Sequence, residues 1–239
     1  MVAGVETTME SHGGTSGGGG LVLRMLGPLA IHRDGAALAL PASRKVRGLI
    51  AYLALAPGPV VRSRLCELLW EVPNDPRGEL RWCLSRMRTV LDDPGRRRVV
   101  TQDDRVSLDL ADCAVDAAEV NRALDAGVAG LPPERLRALS ALFAGDFLDG
   151  LEIDRSPEFG VWLAAQRRRL RAGHAAILER LATSLPPESE ELLGCLERWL
   201  RLAPFEAGAH GLLLRALARR GRLREGEEHL AATAALFEA

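Results

Sequence analysis

The sequence predicts a mainly α-helical protein with small β elements, an N-terminal winged helix-turn-helix followed by a tetratricopeptide-like helical domain. Three observations predict it. Leu and Ala are abundant and aromatics make up only 4% of the 239 residues, which favours helix over sheet. Charge is unevenly divided: residues 21–110 hold 15 Arg/Lys against 10 Asp/Glu, and residues 111–239 hold 16 against 20. The basic part reads as strands, helix, helix, turn, arginine-faced helix and hairpin, while the acidic part reads as helices with short links. A basic half joined to an acidic half assigns one part to an anionic partner.

Met1–Gly20 holds seven glycines, four of them in a row at Gly17–Gly20. Such a segment cannot bury enough apolar surface to order itself, so a disordered tail is expected over 1–20. Leu21–Leu40 reads as strands, broken at Gly27-Pro28. Asp34-Gly35, between Ile31-His32 and Ala37–Leu40, is a two-residue hairpin signal. Pro41 ends the sheet. Ser43 can cap a helix to about Ala56, with Val46, Leu49, Ile50 and Leu53 inward and Arg44 and Arg47 outward. Pro57-Gly58-Pro59 stops it. A second helix is expected at about Arg62 to Glu71, and Pro73-Asn74-Asp75-Pro76 is a tight turn out of it.

The next stretch, Pro76 to Asp92, organises the basic half. Asp75 suits an N-cap, and Pro76 suits the first helical position, where its missing N–H costs nothing. Leu80, Cys83, Leu84, Met87, Val90 and Leu91 recur at helical spacing on one arc. The opposite arc holds Arg81, Trp82, Ser85, Arg86 and Thr89, with Arg77 and Arg88 on the flank. Arginine is the side chain best shaped for phosphates and for the O6/N7 edge of guanine. Strands over Arg98–Gln102 and Arg105–Leu110, turning at Asp103-Asp104, follow as a wing. Two helices joined by a short turn, the second arginine-faced, form a helix-turn-helix whose second helix lies in the DNA major groove. Arg81, Trp82, Ser85 and Arg86 are therefore the expected base-reading residues. Arg77 and Arg88, with Arg96, Arg97, Arg98 and Arg105 of the wing, are the expected backbone contacts.

Residues 111–239 are expected to be mostly helical. Short amphipathic helices are read at Ala117–Gly127 and Pro133–Phe143. The loop Gly145–Leu151 tucks Phe147, Leu148 and Leu151 inward. A long helix follows from about Pro157 to Thr183, then helices at Glu188–Leu202, Glu206–Arg219 and Arg222–Phe237. Their short links favour antiparallel neighbours, stacked as a tetratricopeptide-like array that presents a surface to a protein partner.

Other chemistries find little support. Cys66, Cys83, Cys113 and Cys195 are scattered without C-x-x-C spacing, as expected of buried free thiols in a reducing cytosol. The longest apolar run, Gly48 to Pro57, is too short to cross a bilayer, and residues 1–20 lack a secretory h-region. A cytoplasmic protein without membrane association is expected. The five histidines form no metal spacing, and no nucleophile is paired with a base. No catalytic residue, metal or cofactor is expected, and the chain is read as a non-enzyme.

These segments in this order resemble a known family. LGPLAI, PASRKVRGLIAYLALAPG, RLCELLW and LRWCLSRMRTVLDD, followed by LFAGDFLDGL, SPEFGVWLAAQRRRL and LRLAPFEAGAHGLLLRALARRGR, are similar to the SARP transcriptional activators of bacteria. The resemblance covers about residues 21–237. It implies an OmpR-type winged-helix domain over 21–110 and a bacterial transcriptional activator domain over 111–239. It matches Ser85, Arg86 and Arg88 to the family's recognition helix. It matches Arg44, Lys45 and Arg47 to the basic start of the first helix, as further backbone contacts. It further implies a side-by-side homodimer on direct repeats in double-stranded DNA, at the nucleoid, and contact with RNA polymerase. The expected function is thus a sequence-specific transcriptional regulator, an activator. The alternatives are a helical interaction scaffold and an effector-gated repressor. The chain lacks G-x-x-x-x-G-K-[ST], so the ATPase module of the family's larger members is not expected.

Overall fold

The computed structural model describes residues 20–71 and 75–238. The expected tail over 1–20 and the turn at 73–76 lie largely outside the described residues. Among the described residues the chain forms seven short strands and nine helices.

The first sheet is built where hydrophobic alternation and turn chemistry coincide. Strand β1 (Leu21–Arg24) buries Leu21 and Leu23 and exposes Arg24. It pairs antiparallel with β2 (Ala30–Arg33), which pairs antiparallel with β3 (Ala36–Ala37). The hairpin turn between β2 and β3 holds Asp34 at φ 53° and Gly35 at φ 81°. Positive φ at both positions is what a type I′ turn requires, and Asp-Gly supplies it with little strain.

Ser43 then caps α1 (Arg44–Leu55), accepting from the Val46 N–H at 3.4 Å. A two-residue strand, β4 (Val60–Val61), leads directly into α2 (Arg62–Leu69). Helix α3 (Pro76–Leu91) starts where expected, with the Asp75 carboxylate accepting from Gly78 N–H at 2.8 Å and Pro76 in its first turn. It buries Leu80, Cys83, Leu84, Met87 and Leu91 against α1 and α2. Strands β5 (Val99–Gln102) and β6 (Arg105–Leu108) form the wing hairpin, and β4 joins the other edge of β6 to make a sheet ordered β4-β6-β5.

The sequence places the first helix of the second half at Ala117 and no strand before it; in the structure the chain first returns to the N-terminal sheet. Strand β7 (Ala114–Val115) pairs parallel with β1, giving the order β3-β2-β1-β7. Asp116 follows as the first residue of α4 (Asp116–Ala126) and is buried. Its carboxylate accepts from the N–H groups of Met25, Leu26 and Ala117 at 2.6–3.0 Å. Burial raises the Asp116 pKa even though those donors pull it down.

Helices α5 (Pro133–Ala141), α6 (Pro157–Ser184), α7 (Glu190–Leu202), α8 (Ala207–Arg219) and α9 (Leu223–Glu238) complete the fold. From α6 onward, successive helices pack on one another as the short links require. Helix α9 buries no residue. The start of α6 braces the helix-turn-helix. Ser156 Oγ donates to the Leu69 carbonyl at 2.7 Å, and Trp162 meets Tyr52 of α1 edge-on at 5.1 Å. The loop after α5 tucks Phe147, Leu148 and Leu151 inward. It also bonds to the segment just after β1: Ala144 N–H donates to Leu26 O and Leu148 N–H to Met25 O, both at 2.8 Å. A single contiguous apolar cluster therefore runs from the first sheet to α8.

Candidate nucleic-acid interface

Helix α3 is amphipathic because its apolar residues recur every three or four positions. Packing that arc on α1 and α2 turns the opposite arc outward. Arg77, Arg81, Trp82, Ser85, Arg86 and Thr89 are exposed, with Glu79 the only acid among the helix's exposed residues. Trp82 is 46% exposed, so it does not pack into the domain. The Arg86 guanidinium sits 5.3 Å from the Trp82 ring centroid, a cation–π contact at i, i+4 spacing that holds both side chains along the exposed arc. Arg81 lies 3.9 Å from Asp75; both are well exposed, so this pair holds Arg81 only weakly.

Two grooves flank the helix. One, of about 560 Å³, lies between α3 and the wing and brings Arg77, Arg81 and Arg88 together with Arg62 and Thr101. Arg88 is half-buried there and donates to Thr101 Oγ1 at 3.4 Å, linking α3 to β5. The other groove sets Trp82, Arg86 and Thr89 beside Pro41, Ala42 and Ser43 at the start of α1. Arg62 is a cation the sequence reading passed over. It reaches this groove because β4, directly before it, pairs with β6 of the wing, a pairing that the sequence does not show.

The basic start of α1 is only partly free. Arg44 is exposed. The Lys45 ammonium lies 4.9 Å from the Trp70 ring centroid, and burial lowers its pKa. Arg47 Nε donates to Pro41 O at 2.6 Å, fastening the segment that leads into the helix.

In the wing the expectation for Arg98 fails. Arg98 was expected on the DNA-facing surface, yet it is 4% exposed. Its guanidinium pairs with Asp112 at 2.6 Å and lies 3.5 Å from Asp93. The hydrogen bonds to Asp112 push the pKa of Arg98 further up and hold Asp112 well below the usual carboxylate range. Alternation along the chain explains this: Arg96 and Arg98 point to one side, toward Asp109 and Asp112, and Arg97 points to the other. Arg96 is half-buried and pairs with Asp109 and Asp112 at 2.9 Å each, so its charge is largely spent. Arg97 and Arg105 are exposed. Arg105 is joined at the wing tip by Asp103 and Asp104, so the cationic surface is centred on α3 and not on the tip.

Cys66, Cys83 and Cys195 are buried free thiols, and Cys113 is a half-buried one. Among the described residues no group of three or more His, Cys, Asp or Glu side chains is placed to hold a metal ion, and no helix is long and apolar enough to cross a membrane.

No protein-family model and no curated protein matches the chain. Among solved structures it is similar to that of Mycobacterium tuberculosis EmbR in complex with a low affinity phosphopeptide, at a TM-score of 0.62 and 19% identity. The similarity covers 89% of this chain and 58% of that one, so the chain spans little more than half the length of that structure. At this identity the likeness carries the fold: a winged helix-turn-helix joined to a helical array, in an arrangement shared with EmbR.

Proposed function

We propose that the chain is a sequence-specific DNA-binding transcriptional regulator of the SARP type, an activator without enzymatic activity. The observation that carries this reading is the exposed arc of α3. It offers arginines, a hydroxyl and an aromatic ring to solvent from the second helix of a helix-turn-helix, beside a three-stranded wing. In this reading α3 lies in the major groove, with Arg81, Trp82, Ser85 and Arg86 facing base edges. Arg77, Arg88, Arg62, Arg44, Arg97 and Arg105 face phosphates. Arg98 drops out of that set because it is buried, and Lys45, Arg47 and Arg96 contribute less because each is engaged within the protein.

The proposed division of labour places DNA recognition in 21–110 and partner contacts in 111–239. Those partners are a second copy of the chain, side by side on repeated half-sites, and RNA polymerase; the site of action is the nucleoid. Titration of a labelled duplex at several salt concentrations tests the reading. The affinity should fall with a log–log slope of about −0.9 for each phosphate neutralised. A slope near zero would remove the phosphate contacts and with them the proposal, and would favour a helical scaffold for protein partners.

A further inference from the structure

Away from α3 and the wing, a cavity of about 370 Å³ lies between the loop after α5, one face of α6 and the last turns of α7. Its origin is helical spacing. Arg167, Leu170, Arg171 and His174 fall at i, i+3, i+4 and i+7 on α6. Arg198, Arg201 and Leu202 fall on one face of α7, which runs back alongside it. The size is within the range of small-molecule sites.

The lining combines two chemistries. The Phe143 ring stacks flat on the His174 imidazole at 3.9 Å, 6° from parallel, and Leu170 and Leu202 add apolar wall. His174 is buried, hydrogen-bonded to Ser140 at 3.2 Å, and held neutral by that burial. Around this flat apolar surface stand four guanidinium groups against one carboxylate, Asp146. Arg171 pairs with Asp146, and Arg167 donates to the Phe147 and Leu148 carbonyls at 2.9 Å each. Arg198 and Arg201 form no ion pair among the described residues; Arg198 Nε donates only to Gly194 O. This concentration of positive charge sits in the half of the chain whose net charge is negative. Cations without a direct ion-pair partner beside an apolar surface suit an anion with an apolar body, because guanidinium–carboxylate hydrogen bonds strengthen where water is partly excluded.

We propose that this cavity binds a small organic carboxylate with a flat, apolar body. The body packs against the Phe143 side of the Phe143–His174 stack and against Leu170 and Leu202, and the carboxylate is met by Arg198 and Arg201. The wall that such a ligand touches is the loop whose Ala144 and Leu148 amides bond to the Leu26 and Met25 carbonyls just after β1, so occupancy tightens the seam between the helical half and the end of that strand.

The test uses the full chain, indole-3-acetate as probe and indole-3-ethanol as its uncharged counterpart, followed by NMR of the backbone amides and arginine Nε–H groups. The acid should produce saturable shifts at Arg198, Arg201 and Gly145 and should slow hydrogen exchange at Ala144 and Leu148. The alcohol, and the acid with an Arg198→Gln/Arg201→Gln variant, should bind at least about tenfold more weakly. Both arginines are at least partly solvent-facing, and unchanged amide shifts elsewhere verify that the variant is folded. Three results would overturn the proposal: no saturable shift up to about 10 mM probe, equal affinity for acid and alcohol, or undiminished affinity in the variant. None of these readouts involves DNA, so the outcome is separate from that of the proposed function.

Discussion

Arg33 and Asp93 are joined across the seam between the first sheet and α3, with Nη1 2.7 Å from the carboxylate. The other terminal nitrogen of the same guanidinium donates to the carbonyls of Val90 and Leu91 at 3.0 and 3.1 Å. One arginine from β2 thus satisfies carbonyls at the C-terminal end of α3, where the helix dipole favours a cation. Asp93 lies also beside Arg98, and Asp92 accepts from the backbone N–H groups of Arg98 and Val99. Helix α3, the sheet and the base of the wing are therefore held by one set of charges.

Arg33→Ala should destabilise the fold by about 1–3 kcal/mol, because it leaves carbonyls and a half-buried carboxylate without their donor. Arg33→Lys should recover less than half of the loss, since a point charge cannot serve both the carbonyls and Asp93. Urea unfolding of the three proteins measures this; full recovery by lysine would reduce Arg33 to a simple charge.

Arg98→Ala should cost about 2–3 kcal/mol, somewhat below the range for a fully buried pair because the Asp112 side chain is 41% exposed. Arg97→Ala, one residue away on the exposed side, should change stability by less than about 0.5 kcal/mol. On folded protein, Arg98→Ala should leave the salt slope of DNA binding unchanged. A reduced slope would return Arg98 to the DNA surface.

His174 sets a pH dependence. Burial, aided by the Arg198 charge, pushes its pKa down from 6.5 to about 4. Between those values the unfolded chain binds the proton and the folded one does not. Stability should therefore fall as pH drops through the window from 6.5 to 4, by up to about 3 kcal/mol from this group. His174→Gln should flatten the profile in that window, and denaturant melts at a series of pH values compare the two. Parallel profiles would mean that His174 is not buried as a neutral ring.

Gly48 marks the contact between α1 and α6. A Cβ placed there would come within 2.6 Å of Ile153 Cδ1 and 2.9 Å of the Phe159 ring. The isoleucine tip can turn aside, but the buried ring cannot. Gly48→Ala should therefore destabilise by about 1–3 kcal/mol despite the higher helix propensity of alanine. A more stable variant in thermal unfolding would show that the two helices are looser than this contact implies.

What could be read from the sequence follows the range of the physics. The Asp34-Gly35 hairpin, the Ser43 and Asp75 caps, the Pro76 start and the buried arc of α3 all depend on neighbours within a turn or two, and all were legible. Strands β4 and β7 were not. Each is two residues long, too short to show alternation, and each exists because of a distant partner, β6 or β1. The arginine run Arg96–Arg98 looks uniform in composition. Only the folded positions of Asp93, Asp109 and Asp112 decide that Arg96 and Arg98 turn inward while Arg97 does not. Arg33 was passed over for the same reason, as the carbonyls it serves lie nearly sixty residues away. The exposed face of α3 could be read from spacing alone, but which of its side chains meets a base cannot, since that depends on how the helix docks.

The proposed reading of DNA sequence by α3, through Arg81, Trp82, Ser85 and Arg86, is tested by selection of binding sites from random duplexes with the full chain. At about physiological salt, a defined sequence should be enriched, as a direct repeat with half-sites about one helical turn apart. Arg86→Ala should relax preference at one position in each half-site, by about 1–3 kcal/mol on the enriched sequence against little change on random DNA. Salt-sensitive retention with no enriched sequence, or equal loss on both DNAs, would contradict base reading by this helix.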